Sequence, residues 1–272
     1  MRLLGGLLLN AEAIGFGGLS GLHLAPDLTL TAVSDTGNWL TARLVLRDLR
    51  PTGLELLRSG PLREVNGEPM NRGKMGDAEA LARLSDGVWL VAFERSHRIR
   101  AYRDLDQPPG LVQAPPGLER AGSNQGLEAL AVLADGTWLA ISEGLAVPDQ
   151  PGLVRAWLGG PGRWRSVAYR AEPGFRPVDA AALPGGGALV LERYFSILGG
   201  FEGRVVRLSP AALGAEVLEG PEVLRLAAPL PVDNYEGIAV TRHAGRTLVA
   251  LLSDDNQSVF QRSILLLFEL AP

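Results

Sequence analysis

The chain has 272 residues, a formal charge of −4, 46% hydrophobic and 21% charged residues, and no cysteine. This is globular composition with ample apolar content for a large core, and it removes disulfides, thiolate metal sites and thiol catalysis. Mild acidity without a Lys/Arg block argues against nucleic acid as a partner, and there is no run of about 18 apolar residues to span a membrane.

The predicted elements are short strands. MRLLGGLLLN (1–10) has an apolar run too short and too interrupted by glycine for a convincing signal peptide, and it reads as a strand. SGLHLAPDLTLTAVSD (20–35) reads as a hairpin turning near Asp27-Leu28, followed by the runs WLTARLVL (39–46) and GLELLRSG (53–60). EALARLSDGVWLVAFE (79–94) folds about Asp86-Gly87, a dipeptide suited to a two-residue type I′ turn because both positions tolerate positive φ. RIRAY (98–102) and GLVQA (110–114) follow it. EALAVLADGTWLAISE (128–143) folds about Asp135-Gly136 and precedes LVRAWL (153–158) and RWRSVAYR (163–170). VDAAALPGGGALVLERY (178–194) turns at Gly185-Gly186 and precedes RVVRLS (204–209) and EVLRLAA (222–228). YEGIAVTRHAGRTLVALLSDD (235–255) turns near Gly245, with only SILLLFEL (263–270) after it.

The second and third hairpins are nearly one phrase: ten of sixteen positions are identical, 49 residues apart. A period near 50, found five times, predicts an all-β repeat architecture. The fifth unit lacks a fourth strand and the N-terminal strand lacks a sheet. Pairing them closes a ring, which predicts a β-propeller of five four-stranded antiparallel blades in a single domain over 1–272. Six blades, or a large β-sandwich, are the alternatives.

Folding each hairpin about its turn sets acids opposite one another: Glu79 with Glu94, Glu128 with Glu143, Asp179 with Glu192, and Glu236 with Asp254 or Asp255, while Ser20 faces Asp35. Cross-strand neighbours lie about 5 Å apart, so like charges there repel and nothing in folding asks for them. In a propeller these positions gather at one mouth of the central channel, with Asp77, Asp233 and Asp255 close by. Asp35, Glu79, Glu94, Glu128, Glu143, Asp179, Glu192, Glu236 and Asp254 are therefore candidate ligands for a hard cation such as Ca²⁺, which takes six to eight oxygen ligands. Pairing with Arg95, Arg193, Lys74 or His97, or protonation, are the other ways to settle so much charge. The loops TGNW (36–39), RSHRI (95–99), RYFS (193–196) and NQS (256–258) leave the same mouth and could hold a phosphate or carboxylate. Glu79, Glu94, Arg95, His97 and Arg193 are the candidate catalytic residues; Lys74, Tyr194 and Asn256 are the candidate substrate contacts. His23 and His243 fall elsewhere and are expected to be structural. There is no nucleophile elbow, P-loop, dinucleotide fingerprint or HExxH motif, so metal or carboxylate chemistry is the expected route if the chain is a hydrolase.

GGLSGL, AVSDTG, GDAEAL, FERSHRI, NQGLEAL, ERYFS, NYEGIAV and SDDN, in that order across roughly residues 15–270, resemble the phytase-like family described as having esterase-like activity of phytase. The resemblance implies hydrolysis of phosphate or carboxylic esters and a distant relation to β-propeller phytases, which bind Ca²⁺ through carboxylates at the channel mouth and grip phosphate with Lys and Arg. It bears on Asp35, Asp77, Glu79, Glu94, Arg95, His97, Glu128, Glu192, Arg193, Tyr194, Glu236 and Asp254. It also implies a small ester or phosphate ligand and a periplasmic or extracellular location. A non-catalytic propeller that holds a ligand and a structural cation is the competing reading.

Overall fold

The computed structural model describes residues 1–10, 14–70, 75–256 and 261–271. Strand β1 (Arg2–Leu8) is followed by the first blade, β2 (Leu19–Leu24), β3 (Thr29–Ser34), β4 (Asn38–Arg47) and β5 (Arg50–Pro61). The second blade is β6 (Ala78–Arg83), β7 (Trp89–Phe93), β8 (Arg98–Tyr102) and β9 (Gly110–Val112). The third is β10 (Leu127–Val132), β11 (Trp138–Ala146), β12 (Leu153–Gly159) and β13 (Arg165–Arg170). The fourth uses β14 (Arg176–Ala182), β15 (Ala188–Ser196), β16 (Gly200–Leu208) and β18 (Glu222–Leu226); the short β17 (Val217–Leu218) instead joins the outer edge of the third blade, parallel to β13. The fifth blade is β19 (Asn234–His243), β20 (Arg246–Asp254), β21 (Ile264–Leu270) and the N-terminal β1, antiparallel to β21. The protein is a five-bladed β-propeller whose ring is closed by its first strand.

Core residues lie between neighbouring blades. Leu22, Leu24, Ala32 and Leu44 of the first blade, for instance, pack with Ala239, Ala250 and Leu265 of the fifth. Strands buried on both faces carry apolar residues on both, as Ala80, Leu81 and Ala82 do in β6. Around the channel the innermost strands approach so closely that a Cβ at Gly21 would fall 2.4 Å from Leu81 N, and one at Gly237 2.5 Å from Ser20 O. Among the described residues no helix is long and apolar enough to cross a membrane.

The hairpin register differs from the sequence expectation in two ways. The turn at Asp86-Gly87 is not type I′: Gly87 alone has positive φ (+91°), Leu84 O accepts from Gly87 N, and Asp86 Oδ1 accepts from Val88 N. This is a type I turn followed by a left-handed residue, one residue longer than the two-residue loop. The third blade repeats it at Gly136, the fourth at Gly186, where Gly187 also has positive φ, and the first with Leu28 in the same role; the fifth instead turns on the two positive-φ residues Ala244 and Gly245.

Second, every innermost strand carries a β-bulge near its start: the register shifts between Leu19 and Leu22, Ala78 and Ala80, Leu127 and Ala129, Pro177 and Asp179, and Tyr235 and Gly237. A bulge inserts one residue and re-aims its side chain. Glu79 is therefore not opposite Glu94. It is the bulged residue, while Glu94 N donates to Asp77 O. Glu128 is likewise bulged, with Glu143 N donating to Gly126 O, and Glu236 is bulged beside the Asn234–Asp254 pair.

Candidate functional site

The repeated bulge builds the channel mouth from two rings. The bulged positions are Ser20, Glu79, Glu128, Val178 and Glu236; the positions at the ends of the second strands are Asp35, Glu94, Glu143, Arg193 and Asp254. The fourth blade runs one residue out of phase with its acids. Val178 occupies its bulge, and Arg193 stands where the other blades place a carboxylate.

Asp179 and Glu192 are consequently turned away from the mouth, contrary to the sequence expectation. Asp179 is fully buried in the ring, accepting from Ala180 N and Ile238 N at 2.8 Å each and so tying the fourth blade to the fifth. Burial drives its carboxyl well above the ordinary range, and the backbone donors oppose that shift. Glu192 is also fully buried; it accepts from Tyr169 Oη at 2.5 Å and from Arg204 Nε at 2.8 Å, on the face toward the third blade.

A cavity of about 230 Å³ at the mouth is lined by Asp35, Asp77, Glu79, Glu94, Glu128, Glu143, Glu236 and Asp254, with Arg95, Arg193, Asn124 and Asn256. Carboxylate oxygens of Asp77, Glu79 and Glu94 lie within 4.8 Å of one another, and so do those of Glu94, Glu128 and Glu143; Glu94 belongs to both groups. Burial raises Glu79 and Glu128 well above the ordinary carboxylate range, and their acidic neighbours push the same way. Burial also raises Glu94, Glu236 and Asp77, pushes Asp35 up to about 6, and pushes Asp254 up to about 8 with Glu236 contributing.

Arginines offset part of this charge. Arg193 ion-pairs with Glu236, donates to Asn234 Oδ1 at 2.6 Å and reaches Glu143 Oε1 at 3.5 Å. Burial opposes its charge, but the surrounding glutamates outweigh burial and hold the guanidinium more firmly protonated than usual. Arg176 donates to Glu143 Oε2 at 3.0 Å. Arg95 Nε lies 2.6 Å from Asp77 Oδ2 but out of line for a hydrogen bond, leaving that buried oxygen without a donor. Arg95 and His97 both have positive φ, +54° and +33°, so the loop after β7 is strained.

His97 does not line the cavity. Its Nε2 lies 3.1 Å from Ala121 O, its Nδ1 is buried without a partner, and its ring packs on Gly126. Tyr194 stands on the opposite strand face from Arg193 and packs against Phe175, with ring centroids 5.4 Å apart. Lys74 lies outside the described residues, as do Gln257 and Ser258 of the last mouth loop. His23 sits at the other end of the channel, edge-on to Trp89, where burial lowers its pKa to about 4; His243 Nδ1 lies 3.0 Å from Pro26 O. The sequence reading did not single out Arg176, Asn124 or Asn234. The first and last occupy the mouth side of their innermost strands, so aligning the five bulges would have marked them.

The donors suit a hard cation. Both close groups offer carboxylate oxygen only, with no imidazole or thiolate.

A sequence search of curated proteins finds no match. Among solved structures, the chain resembles a protein assigned as a gluconolactonase at 11% identity, covering 98% of this chain and 94% of that one with a TM-score of 0.52, a likeness of fold. Virginiamycin B lyase from Staphylococcus aureus aligns at 10% identity over 92% of this chain and 66% of its own, with a TM-score of 0.41. A glucose dehydrogenase aligns at 12% identity over 94% and 83%, with a TM-score of 0.46. The profile of one family matches residues 14–257, a span that holds the mouth residues described above, and the chain therefore belongs to the phytase-like family, described as esterase-like activity of phytase.

Proposed function

We propose that the protein is a metal-dependent ester hydrolase of the phosphoesterase class, acting at the acidic mouth with Ca²⁺ as its cation. The observation that carries this reading is the convergence of eight carboxylates on one cavity, two groups of three close enough to share an ion. Asp77, Glu79 and Glu94, and Glu94, Glu128 and Glu143, are the residues that would hold metal. Bound Ca²⁺ would neutralise the ring and supply Lewis-acid polarisation of a phosphoryl oxygen.

The chain's own groups do the rest. Arg193 and Arg95 stand at the cavity with donors that can orient phosphate oxygens. Glu79 and Glu94 are the carboxylates we assign to proton transfer with the attacking water. In the net reaction water oxygen bonds to phosphorus, the bond from phosphorus to the alcohol oxygen breaks, and the alcohol leaves with a proton. The test is hydrolysis of 4-nitrophenyl phosphate and glycerol 2-phosphate, with Ca²⁺ or with chelator, by the native chain and by Glu94→Ala. Loss of turnover in both perturbations is expected. Hydrolysis that survives both would refute the reading.

One observation favours a second reading. Arg95, Arg176 and Arg193 each already pair with a carboxylate, as in a binding propeller whose basic groups are engaged within the protein. Under it Ca²⁺ raises the melting temperature while no ester is turned over.

A further inference from the structure

The fourth blade carries one feature the acidic mouth does not use. Its β15–β16 hairpin stays paired to Ser196 and Gly200, so it stands above the Glu192–Arg204 pair that anchors it. The tip is apolar and open to solvent: Phe195 is 57% exposed, Ile197 93%, and Leu198 fully exposed. Strand side chains alternate between faces, and residues two apart lie about 7 Å apart on one face. Arg193, which lines the cavity, thus shares its face with Phe195, and Phe195 is paired with Phe201, the ring centroids 4.7 Å apart. An aromatic wall continues upward from the guanidinium at the rim of the site.

The wall is braced from behind. On the opposite face Tyr194 packs on Phe175, Arg204 and Arg225 lie over the Phe175 ring at 5.9 and 5.1 Å, and Arg225 donates to Glu172 at 2.7 Å. An exposed apolar hairpin with an anchored root is a contact surface held ready. The same mouth is poorly equipped for a polyanion. Arg95, Arg176 and Arg193 are paired to Asp77, Glu143 and Glu236, and eight carboxylates surround them.

Resting on the hydrolase reading above, we infer that the ester taken at this site carries an apolar aryl or alkyl group, which docks on Phe195, Phe201 and Ile197 while its phosphate enters the acidic mouth. A highly phosphorylated polyol is not its substrate. The wall acts on specificity and takes no part in proton transfer.

The test compares 1-naphthyl phosphate, glycerol 2-phosphate and inositol hexakisphosphate in the presence of Ca²⁺, using the native chain, Phe195→Ser, Ile197→Ser and the remote surface control Leu111→Ser. Calorimetric binding of 1-naphthylphosphonate provides a readout independent of turnover. The ratio of kcat/KM for the naphthyl over the glycerol ester should fall about tenfold in Phe195→Ser and severalfold in Ile197→Ser, with phosphonate affinity falling in step; Leu111→Ser should match the native chain. Ile197 is so exposed that its replacement tests the wall even if Phe195→Ser loosens the hairpin. Phosphonate binding that depends on Phe195, without turnover of any ester, would uphold the ligand class and refute the hydrolase. Turnover with an unchanged ratio in both wall variants, or a native preference for inositol hexakisphosphate, would overturn the inference and leave the hydrolase standing. Sedimentation with phosphatidylcholine vesicles that depends on Ile197, with no effect on the soluble esters, would overturn it in favour of a membrane-docking tip.

Discussion

Replacing Glu79 by glutamine tests the electrostatics of the mouth most directly. Carboxylate oxygens of Asp77, Glu79 and Glu94 lie within 4.8 Å of one another. At that spacing two unit charges repel by about 3.5 kcal/mol at an effective dielectric constant near 20, so two ionised neighbours would load Glu79 with about 7 kcal/mol. Holding a proton at pH 7 against an ordinary value of 4.5 costs about 3.4 kcal/mol, at about 1.4 kcal/mol per pH unit. Without a cation, protonation is the cheaper state, and burial of Glu79 pushes the same way. Glutamine has nearly the shape of the protonated acid and needs no proton. Glu79→Gln should therefore stabilise the chelated protein at pH 7 by about 1 to 3 kcal/mol, allowing for relaxation of the neighbours, and should abolish most of the gain that Ca²⁺ brings. Urea titration at pH 7, with chelator and with Ca²⁺, reads both effects. A lower midpoint for the chelated variant, with its fold intact, would show that ionised Glu79 is stabilised by its surroundings and would refute the argument.

Three further outcomes follow from the same geometry. Because Glu94 belongs to both close groups, Glu94→Ala should weaken Ca²⁺ binding more than Asp35→Ala, as measured by calorimetry. Asp179→Ala removes the acceptor of two backbone N–H groups, that of Ala180 in its own strand and that of Ile238 in the fifth blade, and should cost about 2 to 4 kcal/mol by urea denaturation, with no direct effect on cation affinity. In chelator, stability should fall between pH 5 and 9. Asp35 moves from 3.8 to about 6 and Asp254 from 3.8 to about 8, so the folded state holds these protons more tightly, and their contribution, full below about pH 4, is lost as pH rises through the raised values. A melting temperature that stays flat or rises over that window would contradict those assignments, and Ca²⁺ should flatten the fall.

Much of the mouth was legible in the sequence, and the exceptions share one cause. Counting back from Asp86-Gly87 and Asp135-Gly136 located Glu79, Glu94, Glu128 and Glu143, and all four line the cavity. The same count carried Asp179 and Glu192 into the set, but the fourth blade places its bulge at Val178, and both acids rotate away. His97 follows a second strand as expected, yet the strained backbone of its loop folds the ring back onto Gly126 and away from the opening.

Turn dipeptides, alternating apolar runs and a repeated phrase are local signals, and they suffice to establish five hairpins and the pairing of the first strand with the last. Ring closure follows from them because a three-stranded end and an orphan strand satisfy each other's unpaired edges. Which carboxylates meet could be settled only by the tertiary structure. One inserted residue in each innermost strand sets the direction of every side chain beyond it, and since strand side chains alternate with period two, a one-residue shift sends an acid to the opposite face. That shift puts Arg193 among the glutamates, buries Asp179 in the ring, and leaves the twin phrase at 79–94 and 128–143 to supply both close carboxylate groups along with Asp77.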